Sequence, residues 1–573
     1  MSSQRVVIDP ITRIEGHLRI ELEASDGRIS NAWACATQFR GIETILQGRD
    51  PRDAWALAQR ICGVCTGVHA IASVRAVEDA IKCRIPPQAE LIRSLVSGMA
   101  ILQDHVMHFY HLHALDWVDV ESALTADPQA AARLADSLSP WPNNSATWFR
   151  EVQQRVSASV SGGQLGIFAS GYWGHPAYRL PPEANLLALA HYLEALKWQR
   201  EVIRLHTIFA GKNPHPNFVV GGMACAINLD NQLTINTVRL DEIRGMIAQA
   251  RRFVDQVYYP DVLAIAGFYP EYAAIGVSSP TLFATGESGF SCSGTPGGGE
   301  VSAAVLLDGN YSELLPFDPM KIAEHVSSAW YSYAEGENLG LHPWRGKTEA
   351  RYTGPEPPFE RLSDRDKYTW VKAPRYEGRP VQVGPNARVL VAYAQGHGAT
   401  VALVNQGLAK LGARVEALNS TLGRTWCRAL ESVLVARRME QWFAQLQERI
   451  KAGDTATFNP EKWEPESWPR QAQGVGFTEA ARGTLSHWVT IEKGRISHYQ
   501  CVVPSTWNSS GRDPRGQLGP FEHALAFGGQ HPLQDPQRPL EVLRTVHSFD
   551  PCESCAVHLL DPAGGSAITV QAP

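Results

Sequence analysis

Arg60-Ile-Cys62-Gly-Val-Cys65-Thr-Gly-Val-His69, near the start of the chain, and Asp550-Pro-Cys552-Glu-Ser-Cys555-Ala-Val-His558, near its end, are the stretches whose reading decides the fold. Each is a C-x-x-C motif, and two residues between thiols let both sulfurs face one metal. One such motif is weak evidence, since dithiol redox pairs and structural zinc share it. Structural zinc ribbons set their two pairs about 15–20 residues apart, because they staple a small local fold. Here nearly the whole 573-residue chain separates the pairs, and a chain of that size needs no staple to build a core. The spacing makes each pair half of one thiolate metal site closed by distant parts of the chain, and weighs against a structural staple. A structural zinc–thiolate protein is the competing reading. The other six cysteines (Cys35, Cys83, Cys225, Cys292, Cys427, Cys501) form no C-x-x-C pair and read as buried small hydrophobes. Any electron relay beyond the site must then sit on a partner.

The bulk composition agrees with a large soluble core: 44% hydrophobic and 19% charged residues are ordinary globular values. A net charge of -6 leaves no basic footprint, so nucleic acid is not an expected partner. No run approaches the roughly 18 apolar residues of a membrane span. The first residues lack a basic region followed by an apolar one, so no export signal is expected on this chain.

Working inward from the cysteines, the chain reads as β at both ends and helical between. His17-Leu-Arg-Ile-Glu-Leu-Glu-Ala alternates, turns at Ser25-Asp-Gly27 and returns through Trp33; Trp488 to Glu492 turns at Lys493-Gly494 and returns to Val503. After Pro86-Pro87, apolar residues recur at Ile92, Leu95, Met99, Leu102, Val106 and Phe109, predicting a helix to about Trp117, roughly 45 Å long. A second helix is expected from Pro182 to Gly211, with more near 240–257, 385–412 and 425–452. Irregular connections are expected at about 278–300 and 341–390. No clean linker is visible. The expected class is α+β, one large domain (1–558) around a long helical bundle with flanking β-hairpins.

These motifs, with their flanks, resemble the large subunit of the nickel-iron hydrogenases. The matching flanks are Arg13-Ile-Glu15-Gly-His17, Arg40-Gly-Ile-Glu43, Gly171-Tyr-Trp-Gly-His, His215-Pro-Asn, Ala481-Arg482-Gly483 and Val502-Val-Pro-Ser505-Thr-Trp-Asn. The likeness runs from residue 5 to 573. It implies reversible, heterolytic cleavage of H2 to protons and electrons at a nickel–iron centre. Cys62 and Cys552 would be terminal nickel ligands, and Cys65 and Cys555 would bridge to an iron carrying carbon monoxide and two cyanides. Glu15 would take the proton from Cys552. Arg482 would hang over the open metal position and bond one cyanide, with Asp104 and Asp550 holding its guanidinium and Ser505 holding the other cyanide. His69 would hydrogen-bond the Cys65 sulfur. Glu43, the Cys501 carbonyl and His558 would bind a magnesium (or iron) ion. Charge supports the arginine independently: four thiolates and two cyanides outweigh two divalent metals, and a unit charge at 4 Å is worth roughly 4 kcal/mol at an effective dielectric of 20. The family often has proline before this arginine. Here it is Ala481, which leaves the arginine's backbone less constrained.

The resemblance further implies that residues 559–573 are an extension cut off by a dedicated endopeptidase after His558 once nickel is in, with a maturation chaperone assisting. An iron-sulfur small subunit would take the electrons. Likeness to the membrane-bound uptake type implies a periplasmic location, reached through the partner's signal, with a membrane cytochrome b or quinone-linked anchor. Three alternatives compete: an H2-sensing regulatory hydrogenase (which usually lacks the cleavable tail), the zinc protein above, and a cytoplasmic hydrogenase coupled to a soluble carrier.

Overall fold

A computed structural model describes residues 4–163, 166–169, 171–286, 300–354 and 361–556. The tail 557–573, with His558, lies outside them, as does Cys292. The first element is an antiparallel sheet of β1 (Gln4–Ile8), β2 (Leu18–Ser25) and β3 (Arg28–Ala36), in that order. Its hairpin turns on Asp26 and Gly27, both at positive φ, the conformation a tight two-residue β-turn requires. The strand β1 adds an outer edge that the alternation of residues 17–24 does not announce.

The helical body follows. Cys65 caps α1 (Thr66–Ile81), and Pro87 opens α2 (Pro87–Met107) at its first turn. Ile92, Leu95, Met99, Leu102 and Val106 are all buried, as their spacing predicts. Beyond Met107 the expected continuation is a wider π-turn, His108–His113, and then a short 3-10 turn ending at Asp116. The helix expected to end at Gly211 is α3 (Pro182–Val202) plus a short piece, Arg204–Ala210, closed by Gly211 at φ 78°. Next come α4 (Thr237–Phe253), α5 (Pro385–Ala394) and α6 (Thr421–Lys451). The expected 385–412 helix is two helices, broken at Gly396 in a left-handed conformation. Helix α6 is the axis of this body: its first half is buried all round, and α2, α4 and α5 pack against it.

A second antiparallel sheet joins β4 (Gln471–Ala480), β5 (Gly483–Glu492) and β6 (Arg495–Val502) in that order. Helix α1 lies on it, and the approach is close enough to require glycine. A Cβ on Gly476 would sit 2.0 Å from the Ala72 carbonyl oxygen, and one on Gly474 2.3 Å from that of Ala76. The chain then runs through α7 (Pro520–Ala526) and α8 (Leu540–His547) back to the first sheet. Phe521, Leu525, Leu543, Val546 and Phe549 share one apolar core with Ile8, Ile20, Leu22 and Ile29. The two ends of the chain are thus packed on each other. No described helix is long and apolar enough to cross a membrane.

Gly476→Ala should force α1 off β4 and cost about 1–3 kcal/mol. Because Cys65 caps α1, the expected outcome is a lower melting temperature together with a lower metal content.

Candidate metal centre

The convergence of the termini brings four sulfurs to one point. Cys62 and Cys65 lie where a short turn (Gln59–Ile61) meets α1; Cys552 and Cys555 lie just beyond α8. The Sγ atoms are separated by 3.3 Å (Cys62–Cys552), 3.8 Å (Cys65–Cys552), 2.8 Å (Cys65–Cys555) and 2.9 Å (Cys552–Cys555). All four are buried and lie within 4.8 Å of one another. Backbone amides of Val64 and Cys65 both donate to the Cys62 sulfur at 3.2 Å. Burial pushes the other three thiols up, Cys65 to about 11. Against the same burial, hydrogen bonds from the other three hold Cys62 down. Four neighbouring thiolates are tenable only with metal charge among them, so the donor set fits soft divalent metals.

Glu15 reaches this cluster through backbone pairing. Residues 15 and 552 form an isolated parallel bridge, with Glu15 N donating to Pro551 O (3.3 Å) and Glu553 N to Glu15 O (2.8 Å). Gly16, at φ 83°, makes the approach possible: a Cβ there would lie 2.6 Å from Ser554 N. The Cys552 thiol donates to Glu15 Oε2 at 3.2 Å, and Ser554 N donates to the same oxygen at 3.1 Å. Burial, then the Cys62 charge, raises the Glu15 carboxyl above its ordinary range. The loop carrying Glu15 is held from behind. The carboxylate of Asp116 accepts from Arg13 (2.5 Å), His547 (2.6 Å) and His113 (3.1 Å), tying it to α8.

Arg482 sits opposite. Its Nε donates to Asp550 O and its Nη2 to Asp550 Oδ1, each at 2.9 Å; Asp104 Oδ2 is farther, 3.9 Å from Nη1. Asp550 is in the left-handed region, φ 59°, which aspartate tolerates better than most residues. The Arg482 Nη1 is buried with no hydrogen-bond partner among the described residues, a donor available to an anionic ligand. Burial beside Asp550 and Cys62, against the pull of Arg482, raises Asp104 to about 7. Ser505 Oγ accepts from Cys552 N at 3.0 Å, which leaves its own proton to give.

His69 meets a sulfur of the cluster: its Nε2 lies 3.3 Å from Cys555 Sγ, which is itself 2.8 Å from the Cys65 Sγ that the resemblance pairs with this histidine. Its Nδ1 faces His487 Nε2 at 3.1 Å, and His487 Nδ1 faces the Tyr499 hydroxyl at 2.7 Å. Neither partner carries a local signal, since each is one polar position on a strand.

Glu43 is buried. Its Oε1 accepts from Gln500 Nε2 (2.7 Å) and Cys501 N (2.9 Å), its Oε2 from Thr348 Oγ1 (2.5 Å), and Lys372 Nζ lies 3.9 Å away. Beside it, Glu324 is fully buried, 3.7 Å from Lys372, with neither carboxylate oxygen hydrogen-bonded. Burial raises it to about 7. Two more residues of the region escape sequence reasoning: this Glu324, on a short strand (Ile322–His325), and Glu553, between the two C-terminal cysteines. Glu553 is buried and raised by burial to about 8, with Ser509 Oγ donating to it at 3.0 Å.

Fold and site together define a metalloprotein of the α+β class whose centre is closed by the two ends of one chain. The nickel-dependent hydrogenase family matches residues 40–558, and a second, HoxL-like family matches 5–39. The chain is 49% identical to the uptake hydrogenase large subunit of Bradyrhizobium diazoefficiens, over 98% of this chain and 96% of that one. It is 46% identical to the hydrogenase-1 large chain of Escherichia coli K12, over 100% and 97%. Among solved structures, the Ni-Fe-Se hydrogenase of D. vulgaris Hildenborough superposes with a TM-score of 0.73 at 30% identity, covering 97% of this chain and 100% of that one. The protein belongs to the nickel-dependent hydrogenase large-subunit family.

Cys555→Ser removes one of four donors from a closed set. Elemental analysis of the matured protein should find nickel and iron in the parent and neither in the variant. Zinc in the parent in place of both would overturn the assignment.

Proposed function

We propose that the chain is the catalytic subunit of a nickel-iron hydrogenase working in H2 uptake, H2 → 2H⁺ + 2e⁻. The observation that carries this reading is the buried four-sulfur cluster with a carboxylate 3.2 Å from one of its sulfurs. Cys62 and Cys552 would hold nickel as terminal ligands, and Cys65 and Cys555 would hold it jointly with an iron bearing carbon monoxide and two cyanides. When bound, this centre supplies the binding and heterolytic cleavage of H2. The protein's own part is proton and charge management. The Cys552 sulfur passes a proton to Glu15, whose carboxyl, raised by burial above its ordinary range, holds a proton more readily than an exposed glutamate does. The unpartnered Arg482 Nη1 and the Ser505 hydroxyl are donors for the two cyanides. Asp550, and more loosely Asp104, hold the guanidinium.

Among the described residues no second cysteine cluster exists to relay electrons. They would leave to an iron-sulfur small subunit, and the exit face would be the first cysteine loop, where Val64 is 45% exposed between two buried cysteines. Glu43 and the Cys501 carbonyl, with His558, would bind magnesium (or iron); the Glu324 carboxylate, paired only with Lys372 at 3.7 Å among the described residues, would accept hydrogen bonds from that ion's waters. The family match stops at 558, which supports removal of 559–573 by an endopeptidase after chaperone-assisted metal insertion. The complex would lie on the periplasmic side of the membrane, exported with its partner and anchored through it to a cytochrome b or quinone-linked protein.

Infrared spectra of the matured complex should carry two cyanide bands and one carbon monoxide band; their absence would sink the reading. Glu15→Gln should keep these bands and the nickel, because glutamine can still accept from Ser554 N. It should lower dye-linked H2 oxidation about 10²–10⁴-fold.

A further inference from the structure

The strands β4 and β5 end on the register pair Ala480–Gly483, so Ala481 and Arg482 are a two-residue hairpin loop. Two-residue loops hold their shape by positive φ at one or both central residues. Neither Ala481 nor Arg482 has positive φ; only Gly483, at 130°, departs. Ala481 brings no ring constraint of its own. The loop that presents Arg482 to the four sulfurs therefore lacks the local chemistry that would fix it, and something outside it must.

Arg388, on α5, is placed to do so. It is 1% exposed. Its Nη1 donates to Ala480 O at 2.9 Å and its Nη2 to Ala481 O at 3.3 Å, the two carbonyls immediately before Arg482. Its remaining donors are also used: Nε to Glu431 Oε1 (2.5 Å), Nη2 to Glu431 Oε2 (2.6 Å) and Nη1 to Glu479 Oε2 (2.9 Å). All five N–H groups of the guanidinium are thus spent, in the fork geometry only arginine offers. Both carboxylates are anchored in turn. Glu431, on α6, accepts from His105 Nε2 at 2.7 Å; burial pushes its carboxyl up, and the Arg388 charge together with the His105 and Arg388 hydrogen bonds brings it down to about 2. Glu479 Oε1 accepts from Thr285 N, Thr285 Oγ1 and Thr484 Oγ1, so it grips the strand on the far side of the loop as well. His105 adjoins Asp104, so α2 sends one residue toward the tip of Arg482 and the next to the ion pair that holds its root.

We propose that Arg388, held by Glu431 and Glu479, is the positioning residue for Arg482: it fixes the loop from behind while Asp550 fixes the guanidinium in front. The inference rests on the reading of Arg482 as the cation facing the metal centre. Lysine at 388 keeps the charge and one or two of the bonds, and so frees the two carbonyls.

The test uses the matured two-subunit enzyme with Arg388→Lys, Arg482→Lys and the double variant. Expected for Arg388→Lys are a fall in kcat for H2 oxidation of about 10-fold or more with little change in KM, shifted cyanide infrared bands, and faster hydrogen exchange in the peptide spanning 479–484. On the Arg482→Lys background the same change should cost less than about twofold, because two residues acting through one guanidinium are not additive. If Arg388→Lys does not mature, Glu479→Gln, which leaves the Glu431 pair intact, should give the same pattern in weaker form. Independent, multiplying losses with unchanged exchange at 479–484 would overturn the positioning role alone. Full turnover by Arg482→Lys would overturn the reading of Arg482, and the proposal with it.

Discussion

Everything in this molecule is arranged around one constraint: two pairs of thiols 490 residues apart must share a space a few ångströms wide. Closing a loop of that length costs on the order of 5 kcal/mol in chain entropy, and no single contact offsets it. The fold meets the cost by making the two ends of the chain one packing unit. The first sheet shares its apolar core with the last two helices, the Asp116 carboxylate ties Arg13 to His547, and the backbone of Glu15 pairs directly with that of Cys552. The Glu15 carboxylate and the Cys552 sulfur are thus neighbours by main-chain geometry, and their side chains need little further adjustment to meet.

The second constraint is electrostatic. A cluster of thiolates in a water-excluded interior is tolerable only where charge is answered by charge. The structure answers in layers. Arg482 lies across from the sulfurs with one donor free, Asp550 and Asp104 orient it, and behind its loop a saturated Arg388 balances Glu431 and Glu479. Around Glu43 the pattern is different: Lys372 stands between two buried carboxylates, and the Glu324 oxygens have no hydrogen-bond partner. That is an environment suited to a hard cation and its waters, whereas the sulfur cluster suits soft metals.

Motif spacing carried much of the reading because it is local. A C-x-x-C pair, a proline-opened helix with apolar residues every three or four, and an Asp-Gly turn between alternating strands each encode their own geometry within a few residues. Pairing between distant segments has no such signature. That Glu15 adjoins Cys552 is carried by the family resemblance and by no local pattern; that His69 faces Cys555 and His487, and that Glu43 is buried beside Glu324 and Lys372, follow only from how sheets and helices stack. The same applies to Arg388, one more arginine on an amphipathic stretch until α5, α6 and β4 meet around it.

The sequence by itself determined the ligand chemistry, the helical middle and β ends, and the membership of Cys62, Cys65, Cys552 and Cys555 in one site, since residue type and short-range periodicity are properties of the chain. Tertiary structure alone decided which buried carboxylates hold their protons more tightly (Asp104, Glu324 and Glu553) and which are held down by cations (Glu431), and which distant side chains hold the hairpin of Arg482 in place. Those depend on desolvation and on contacts across hundreds of residues, and burial exists only once the chain has folded.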